Sequence, residues 1–316
     1  MASIAILDDY QDVALEMADW SGLRQSHEVT VFNKPFKGVD DAARALQSFE
    51  IIGIMRERTA FPRELFEKLP KLKLLVTTGL RNASVDSKAA ADHKVTVCGT
   101  PGGGHATAEL AMGLILGLAR NFHVELANMR EGRWQTTVGV DLRGRTLGLL
   151  GLGKLGGELA TFAKAFQMKL IAWSQNLTAE AAAAKGVERV EKDELFRRSD
   201  FISVHLVLSD RSRGLVGSRE LALMQPTAFI VNTSRGPIID ALALAEALKA
   251  GRIAGAAIDV YDSEPLAADH PLRREPRALL TPHIGYVTEE SYKMFYPGMV
   301  AAIEAWLGGK PIRVIS

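Results

Sequence analysis

Three ionisable residues of different chemistry stand at the ends of apolar, strand-like runs in the later part of the chain: Arg235 in FIVNTSRG, Glu264 in AIDVYDSEP and His283 in LLTPHIG. Taken singly, each has an ordinary reading: a surface Arg, a Glu in the solvated turn before Pro265, a His satisfied in the core after Pro282. Taken together, they suit acid–base work on a bound molecule that carries a carboxylate. An imidazole titrates near neutrality and passes a proton in both directions. A carboxylate beside it favours the protonated ring and fixes its orientation. A guanidinium takes a substrate carboxylate bidentately and polarises the adjacent carbonyl, which a Lys does not imitate.

Residues 145 to 176, RTLGLLGLGKLGGELATFAKAFQMKLIAWSQN, supply the second half of the chemistry. A strand-like run from Thr146 to Leu150 enters Gly151-x-Gly153-x-x-Gly156. A helical pattern (Leu155, Leu159, Phe162, Ala163, Phe166) follows, and a second apolar run, Leu170 to Trp173, closes the unit. The first glycine permits a tight turn, the second lets backbone approach a pyrophosphate, and the third lets helix pack on strand, with the anion at the helix N-terminus. A phosphoryl-transfer P-loop is excluded, because Leu155 follows Lys154 where a Ser or Thr would hold magnesium. No residue is singled out as a metal ligand. A dinucleotide site beside an acid–base group and a carboxylate anchor points to hydride transfer between a nicotinamide cofactor and a 2-keto acid/2-hydroxy acid pair. The second strand of this unit ends Trp173-Ser174-Gln175-Asn176. It has neither the acid that binds ribose hydroxyls nor an Arg that attracts a 2′-phosphate, so the cofactor is NAD or NADP. Ser174 suits either sugar, and in HLVLSDRSRG either Arg211 or Arg213 could reach a 2′-phosphate.

The elements that must position these groups are legible as alternation. With 316 residues, 47% hydrophobic and 24% charged, the chain is an ordinary globular sequence long enough for two domains. A net charge of +1 gives no electrostatic reason to expect nucleic acid or an anionic membrane as a partner. No apolar stretch reaches the ~20 residues of a membrane span, and MASIAILDDY reads as a first strand and not as a signal peptide. The single cysteine, Cys98 between apolar neighbours, reads as a buried structural thiol and fits a cytoplasmic location.

Strand-like runs at 3–7, 28–32, 51–55, 73–77 and 95–98 alternate with helical patterns near 11–18, 39–48, 62–68 and 84–92, which predicts a mostly parallel sheet. Pro101 and three glycines make a break, and His105 to Asn121 reads as a long helix, apolar around most of its circumference. Such a helix must be covered, within the chain or by a second copy in a homodimer. Residues 122 to 144 read as a polar arm, with Trp134 as one aromatic anchor. Beyond the glycine turn, strands are expected near 201–205, 228–232, 253–260 and 278–281. Helices are expected near 178–185, 192–198, 217–223 and 239–250, with a terminal helix over 288–307.

GLGKLG, NTSRG, DVYDSEP and TPHIG, in that order and at these separations, resemble the D-isomer-specific 2-hydroxyacid dehydrogenases, which include phosphoglycerate, hydroxypyruvate/glyoxylate and formate dehydrogenases. The resemblance covers essentially the whole chain. It implies an α/β fold of two doubly wound parallel-sheet domains: a Rossmann-type cofactor domain, 101–283, inserted in a flavodoxin-like substrate domain, 1–100 plus 284–316, with the active site in the cleft between them. It also implies that Arg235 binds substrate, that Glu264 supports His283 and that His283 is the acid/base. Cofactor contacts would come from Gly151, Gly153, Lys154, Leu155 and Gly156 at the turn and from Ser174 and Gln175 at the ribose. Thr107, His205, Thr233, Ser234, Asp259 and Gly285 complete that set, with Asp259 at the nicotinamide carboxamide and His205 on the adenosine side. The helix from His105 would be the dimer element.

The loop TTGLRNASVD would present backbone N–H groups to the substrate carboxylate. Where the family usually has G-x-G this chain has Gly79-Leu80-Arg81, so Arg81 is either a second carboxylate or phosphate contact or an outward solvated side chain. Met55 and Arg56 border the same pocket, unless Met55 is core. Tyr286 stands where the family commonly has glycine and either narrows the pocket or packs; Val207 replaces a typical proline. The same fold and triad also occur in the C-terminal-binding-protein corepressors, so a dinucleotide-sensing interaction protein is the alternative reading.

Overall fold

The computed structural model describes residues 1–103 and 105–315; Gly104, the last glycine of the expected break, lies outside them. The chain divides into two compact units, Met1–Gly103 with Thr288–Ser316, and Gly104–Val287.

Unit 1 holds β1 (Ser3–Ile6), β2 (Glu28–Val31), β3 (Ile51–Ile54), β4 (Leu74–Thr77) and β5 (Thr96–Gly99) in the order β2-β1-β3-β4-β5, every pairing parallel. This is the flavodoxin-like doubly wound order. The runs IIGI and LLVT are buried at every position, as parallel strands covered on both faces require. The expected terminal helix forms as Glu289–Leu307 and buries Tyr292, Phe295, Met299 and Ile303. Gly53 makes room for it, because a Cβ there would lie 2.3 Å from Met299 Sδ. Cys98 is buried, and burial pushes its thiol up.

The helical pattern at 11–18 folds as a series of turns, and the helix starts only at Ser21. Asp9 diverts it: its carboxylate accepts from Val13 N at 3.1 Å and Ala14 N at 2.8 Å, and Asp12 takes a φ of 57°. A side chain thereby satisfies donors that a helix would have bonded to backbone carbonyls.

Unit 2 holds β6 (Thr146–Leu150), β7 (Lys169–Trp173), β8 (Glu188–Arg189), β9 (Phe201–Val204), β10 (Phe229–Asn232), β11 (Gly255–Ile258) and β12 (Ala278–Leu280) in the order β12-β11-β10-β9-β6-β7-β8, again all parallel. This is the Rossmann order extended by one strand. Strand β8, two residues long, is too short to leave a periodic signal. Alternation sends Leu147, Leu149, Phe201, Val231 and Ala257 to one face, under the helices Ala106–Ala119 and Lys154–Ala165. Leu150, Ile202, Val204, Ile230 and Ile258 face the other way, under Lys192–Arg198, Ser218–Leu223 and Ala241–Lys249.

The apolar helix Ala106–Ala119 is therefore covered within unit 2, so its composition no longer calls for a second copy. The chain bends by 66° after it, Asn121 taking a φ of 52°, and continues as Phe122–Arg130. Beyond that helix the segment is exposed and irregular, as a solvated arm should be, but the arm from Phe122 carries an apolar stripe. Phe122, Leu126 and Met129, at helical spacing, are 51%, 60% and 54% exposed, and Trp134 and Val138 beyond them are 72% and 94% exposed. Trp134 is thus no anchor within the chain. Among the described residues no single helix is long and apolar enough to cross a membrane.

Asp8, just after β1, is buried in unit 1; Oδ1 accepts from Thr59 Oγ1 at 2.7 Å and Oδ2 has no partner among the described residues. Burial pushes its carboxyl up from 3.8 to about 6, against the opposing pull of Thr59 and Arg58. The folded-state value lies above the unfolded one, so this group's contribution to stability is complete below pH 3.8 and is lost as pH rises through about 6. At pH 8 its charge costs roughly 3 kcal/mol. Asp8→Asn keeps an acceptor for Thr59, so it should raise the urea midpoint at pH 8 by clearly more than at pH 5. Equal shifts at the two pH values would refute the assignment.

Candidate active site

Every residue that the sequence nominated in unit 2 strands lies where a strand hands over to a loop at the carboxyl edge of the sheet. Gly151 follows β6, Ser174 and Gln175 follow β7, His205 follows β9, Thr233 to Arg235 follow β10, Asp259 to Glu264 follow β11, and His283 follows β12. The strand order reverses between β6 and β9, which is where ligands bind in open sheets of this kind.

The three glycines divide the labour at that switch point. Gly151 has a φ of +105°, and a Cβ on it would meet the His205 carbonyl at 2.9 Å. Gly156 lies so close beneath the turn that a Cβ would sit 2.2 Å from Gly151 O. Gly153 faces nothing within 4 Å. The first and third glycines therefore serve packing, while the second leaves an open approach to the first-turn N–H groups of Lys154, Leu155 and Gly156, which have no intrahelical acceptor. Nearby, His205 Nδ1 and Thr233 Oγ1 are buried without partners among the described residues, an arrangement that fits a polar ligand across the strand ends. His205 Nε2 lies 2.8 Å from Ser203 Oγ, and burial pushes the imidazole down to about 4, so it is neutral at pH 7.

The pair of His283 and Glu264 is assembled from two loops. His283 Nδ1 lies 2.6 Å from Glu264 Oε2, while Glu264 Oε1 accepts from Tyr261 N at 2.8 Å. The imidazole sits in a left-handed backbone position, φ 52°. Asp259 holds that loop, accepting from Thr281 Oγ1 at 2.6 Å, Ile284 N at 2.8 Å and Gly285 N at 2.9 Å. From the helix Ala106–Ala119, Thr107 Oγ1 donates to Gly285 O at 2.9 Å. Asp259 and Thr107, nominated as cofactor contacts, thus also shape the His283 loop; burial pushes the Asp259 carboxyl up. Arg235, half-buried, ends the turn shaped by Asn232, whose Nδ2 donates to Arg235 O at 2.9 Å while its Oδ1 accepts from Ser234 N at 3.0 Å. Ser234 Oγ donates to Leu206 O, tying this turn to the one after β9. Gly236 then passes against the Glu264 loop, where a Cβ would lie 2.1 Å from Tyr261 C. Tyr261, Thr281 and Asn232 leave no separate sign in the sequence as supports; the glycine directly after Arg235 is the available signal of a close backbone approach.

After β7, Trp173, Ser174, Gln175 and Asn176 line one side of a pocket of about 330 Å³, and Leu206 and Arg211 line the other. Arg213 is not among its walls and bears instead on Asp262.

The description "D-isomer specific 2-hydroxyacid dehydrogenase, NAD binding domain" matches residues 112–285, more than half of the chain. The chain is a member of this family. It is 38% identical over 239 residues to a glyoxylate reductase of Thermococcus litoralis, covering 72% of each. It is also 39% identical over 244 residues to a D-3-phosphoglycerate dehydrogenase of Methanocaldococcus jannaschii, covering 76% of this chain but 46% of that one. The chain spans about half the length of the phosphoglycerate dehydrogenases that it matches first. Among solved structures, a phosphoglycerate oxidoreductase from Vibrio cholerae aligns with a TM-score of 0.93 at 34% identity, covering 98% of this chain and all of that one.

Two departures from the family pattern now have a structural meaning. Tyr286 packs on His283, its ring edge-on to the imidazole with centroids 5.5 Å apart. In unit 1, the loop after β4 leaves Leu80 and Arg81 exposed. Gly79 there has a φ of +83° and underlies Arg56, whose guanidinium donates to Thr78 O at 3.2 Å. Asn82 Nδ2 donates to Arg56 O at 2.6 Å and Thr77 Oγ1 at 2.8 Å, so Arg56 and Asn82 brace the loop. Met55, weighed as pocket or core, is fully buried against Thr78.

The family's glycine turn yields a contrast between two substitutions. Gly156→Ala should lower the melting temperature by several degrees, since the helix must shift by roughly an ångström to clear Gly151 O. Gly153→Ala should melt like the wild type yet bind a nicotinamide dinucleotide more weakly by calorimetry. A Gly153 variant that binds as tightly as wild type would remove that glycine from the site.

Proposed function

We propose that this chain is a nicotinamide-dependent oxidoreductase of the D-2-hydroxyacid class, interconverting a 2-keto acid and its D-2-hydroxy acid. The observation that carries the reading is the 2.6 Å contact of His283 with Glu264, at the same sheet edge as the glycine turn. The cofactor, when bound, supplies or accepts the hydride. Glu264, anchored by Tyr261 N, accepts from His283 Nδ1 and so directs Nε2 to the reacting oxygen. His283 Nε2 delivers a proton to that oxygen as the keto acid is reduced and takes it back in oxidation. Arg235 binds the substrate carboxylate and polarises the carbonyl beside it. Tyr286, packed edge-on against His283, limits the rotation of the imidazole and bounds the space for the substrate side chain.

The test is a matrix of NADH and NADPH against glyoxylate, hydroxypyruvate, pyruvate and longer 2-keto acids. His283→Gln should lose about 10²–10⁴-fold in kcat, and Arg235→Lys should raise KM for the keto acid. Wild type inert towards every acid, or a His283 variant equal to it, overturns the mechanism. Negligible turnover combined with a stoichiometric protein partner captured only with cofactor bound would favour the interaction-protein reading instead.

We also propose a homodimer, supported by the exposed stripe of Phe122, Leu126 and Met129 with Trp134 and Val138. The surface thus moves from the buried helix expected over 105–121 to the segment after it. Light scattering should give twice the chain mass for wild type and the single-chain mass for Leu126→Lys with Met129→Lys. A wild type that is monomeric at micromolar concentration rejects it.

A further inference from the structure

The pocket after β7 carries a charge pattern that the glycine turn does not determine. Among its lining residues Arg211 is the one ionisable group, and no carboxylate faces the cavity. Gln175 and Asn176, both exposed and lining the same pocket, carry amide donors, and Ser174 between them and the strand carries a hydroxyl. Arg211 stands in a pinned turn: Ser212 Oγ accepts from Ser209 N at 2.8 Å and donates to Val207 O at 2.7 Å. The guanidinium therefore projects from a backbone of defined shape, and less ordering is needed when it meets a ligand.

At this position, an acid would accept from the 2′- and 3′-hydroxyls of a ribose and repel a phosphate there. A wall of neutral donors facing a guanidinium has the opposite preference. It leaves a 2′-hydroxyl without a charged acceptor and offers a 2′-phosphate, which carries about −1.5 to −2 charges at pH 7, a bidentate cation and amide donors. We infer that this chain selects the 2′-phosphorylated dinucleotide, NADP(H), with Arg211 as the phosphate-binding cation and Ser174, Gln175 and Asn176 as the hydrogen-bond donors around it. The inference rests on the dinucleotide reading given above and adds to it the identity of the cofactor. Of the two arginines that the sequence offered, the pocket takes Arg211 and leaves Arg213 beside Asp262.

Calorimetric titration of the full chain with 2′,5′-ADP and, separately, 5′-AMP tests this without any catalytic readout. Wild type should bind 2′,5′-ADP at least about tenfold more tightly, with a preference that shrinks as salt rises. Arg211→Gln, at an exposed position, should weaken 2′,5′-ADP by about 10- to 100-fold, the worth of one charged hydrogen-bonding partner, and leave 5′-AMP unchanged. Gln175→Asp should reverse the preference. Equal binding of the two nucleotides by wild type, or an Arg211 variant that weakens both alike, overturns the choice of NADP(H) while the dinucleotide site stands. Failure of the wild type to bind either nucleotide removes the site and this inference with it.

Discussion

The geometry of unit 2 depends on one buried carboxylate. Asp259 has no exposed surface and accepts three hydrogen bonds from the segment 281–285, the stretch that contains His283. A buried charge is tolerated when donors surround it, and backbone N–H groups held by a carboxylate lose most of their freedom. His283 is thereby kept in a left-handed conformation that a non-glycine residue rarely adopts unaided. Thr107 closes the loop from the opposite side at Gly285 O. With the backbone fixed at both ends, the imidazole has one direction to point, and Glu264 is waiting there.

Glu264 is itself placed by packing that involves no charge. Gly236 lets the Arg235 turn lie directly against Tyr261, and the backbone N–H of Tyr261 holds one oxygen of the Glu264 carboxylate. A side chain larger than hydrogen at 236 would push the two loops apart, and the arginine and the carboxylate would move together with them. The guanidinium, the carboxylate and the imidazole thus depend on small backbone clearances between the loops after β10, β11 and β12, as well as on the contact of Glu264 with His283.

The nucleotide end follows a different logic. Gly151 and Gly156 are packing residues whose side chains would collide with backbone, and Gly153 alone is left open. A parallel sheet presents all its strand ends at one edge, so the N-terminus of the helix Lys154–Ala165 and the pocket after β7, which no carboxylate lines, lie at the same edge. The pocket's lack of acid and the placement of Arg211 are properties of two loops far apart in the chain, after β7 and after β9.

The sequence by itself determined the fold class, the place of most strands, the glycine turn and the nomination of Arg235, Glu264 and His283, because apolar runs, glycine spacing and strand-end position are all local signals. It misread 11–18, where Asp9 takes the backbone donors that a helix needed, and it read the solvated arm after residue 121 without its exposed apolar stripe. It left open whether the chain itself or a second copy covers the helix from His105, because coverage is a tertiary fact: the helix Lys154–Ala165 and the sheet lie over it. Only the tertiary structure decided that Asp259 shapes the His283 loop, that Tyr286 packs edge-on against the imidazole, and that Arg211 and not Arg213 lines the pocket. Each is a contact between loops at one sheet edge, and their separation along the chain leaves no periodic trace.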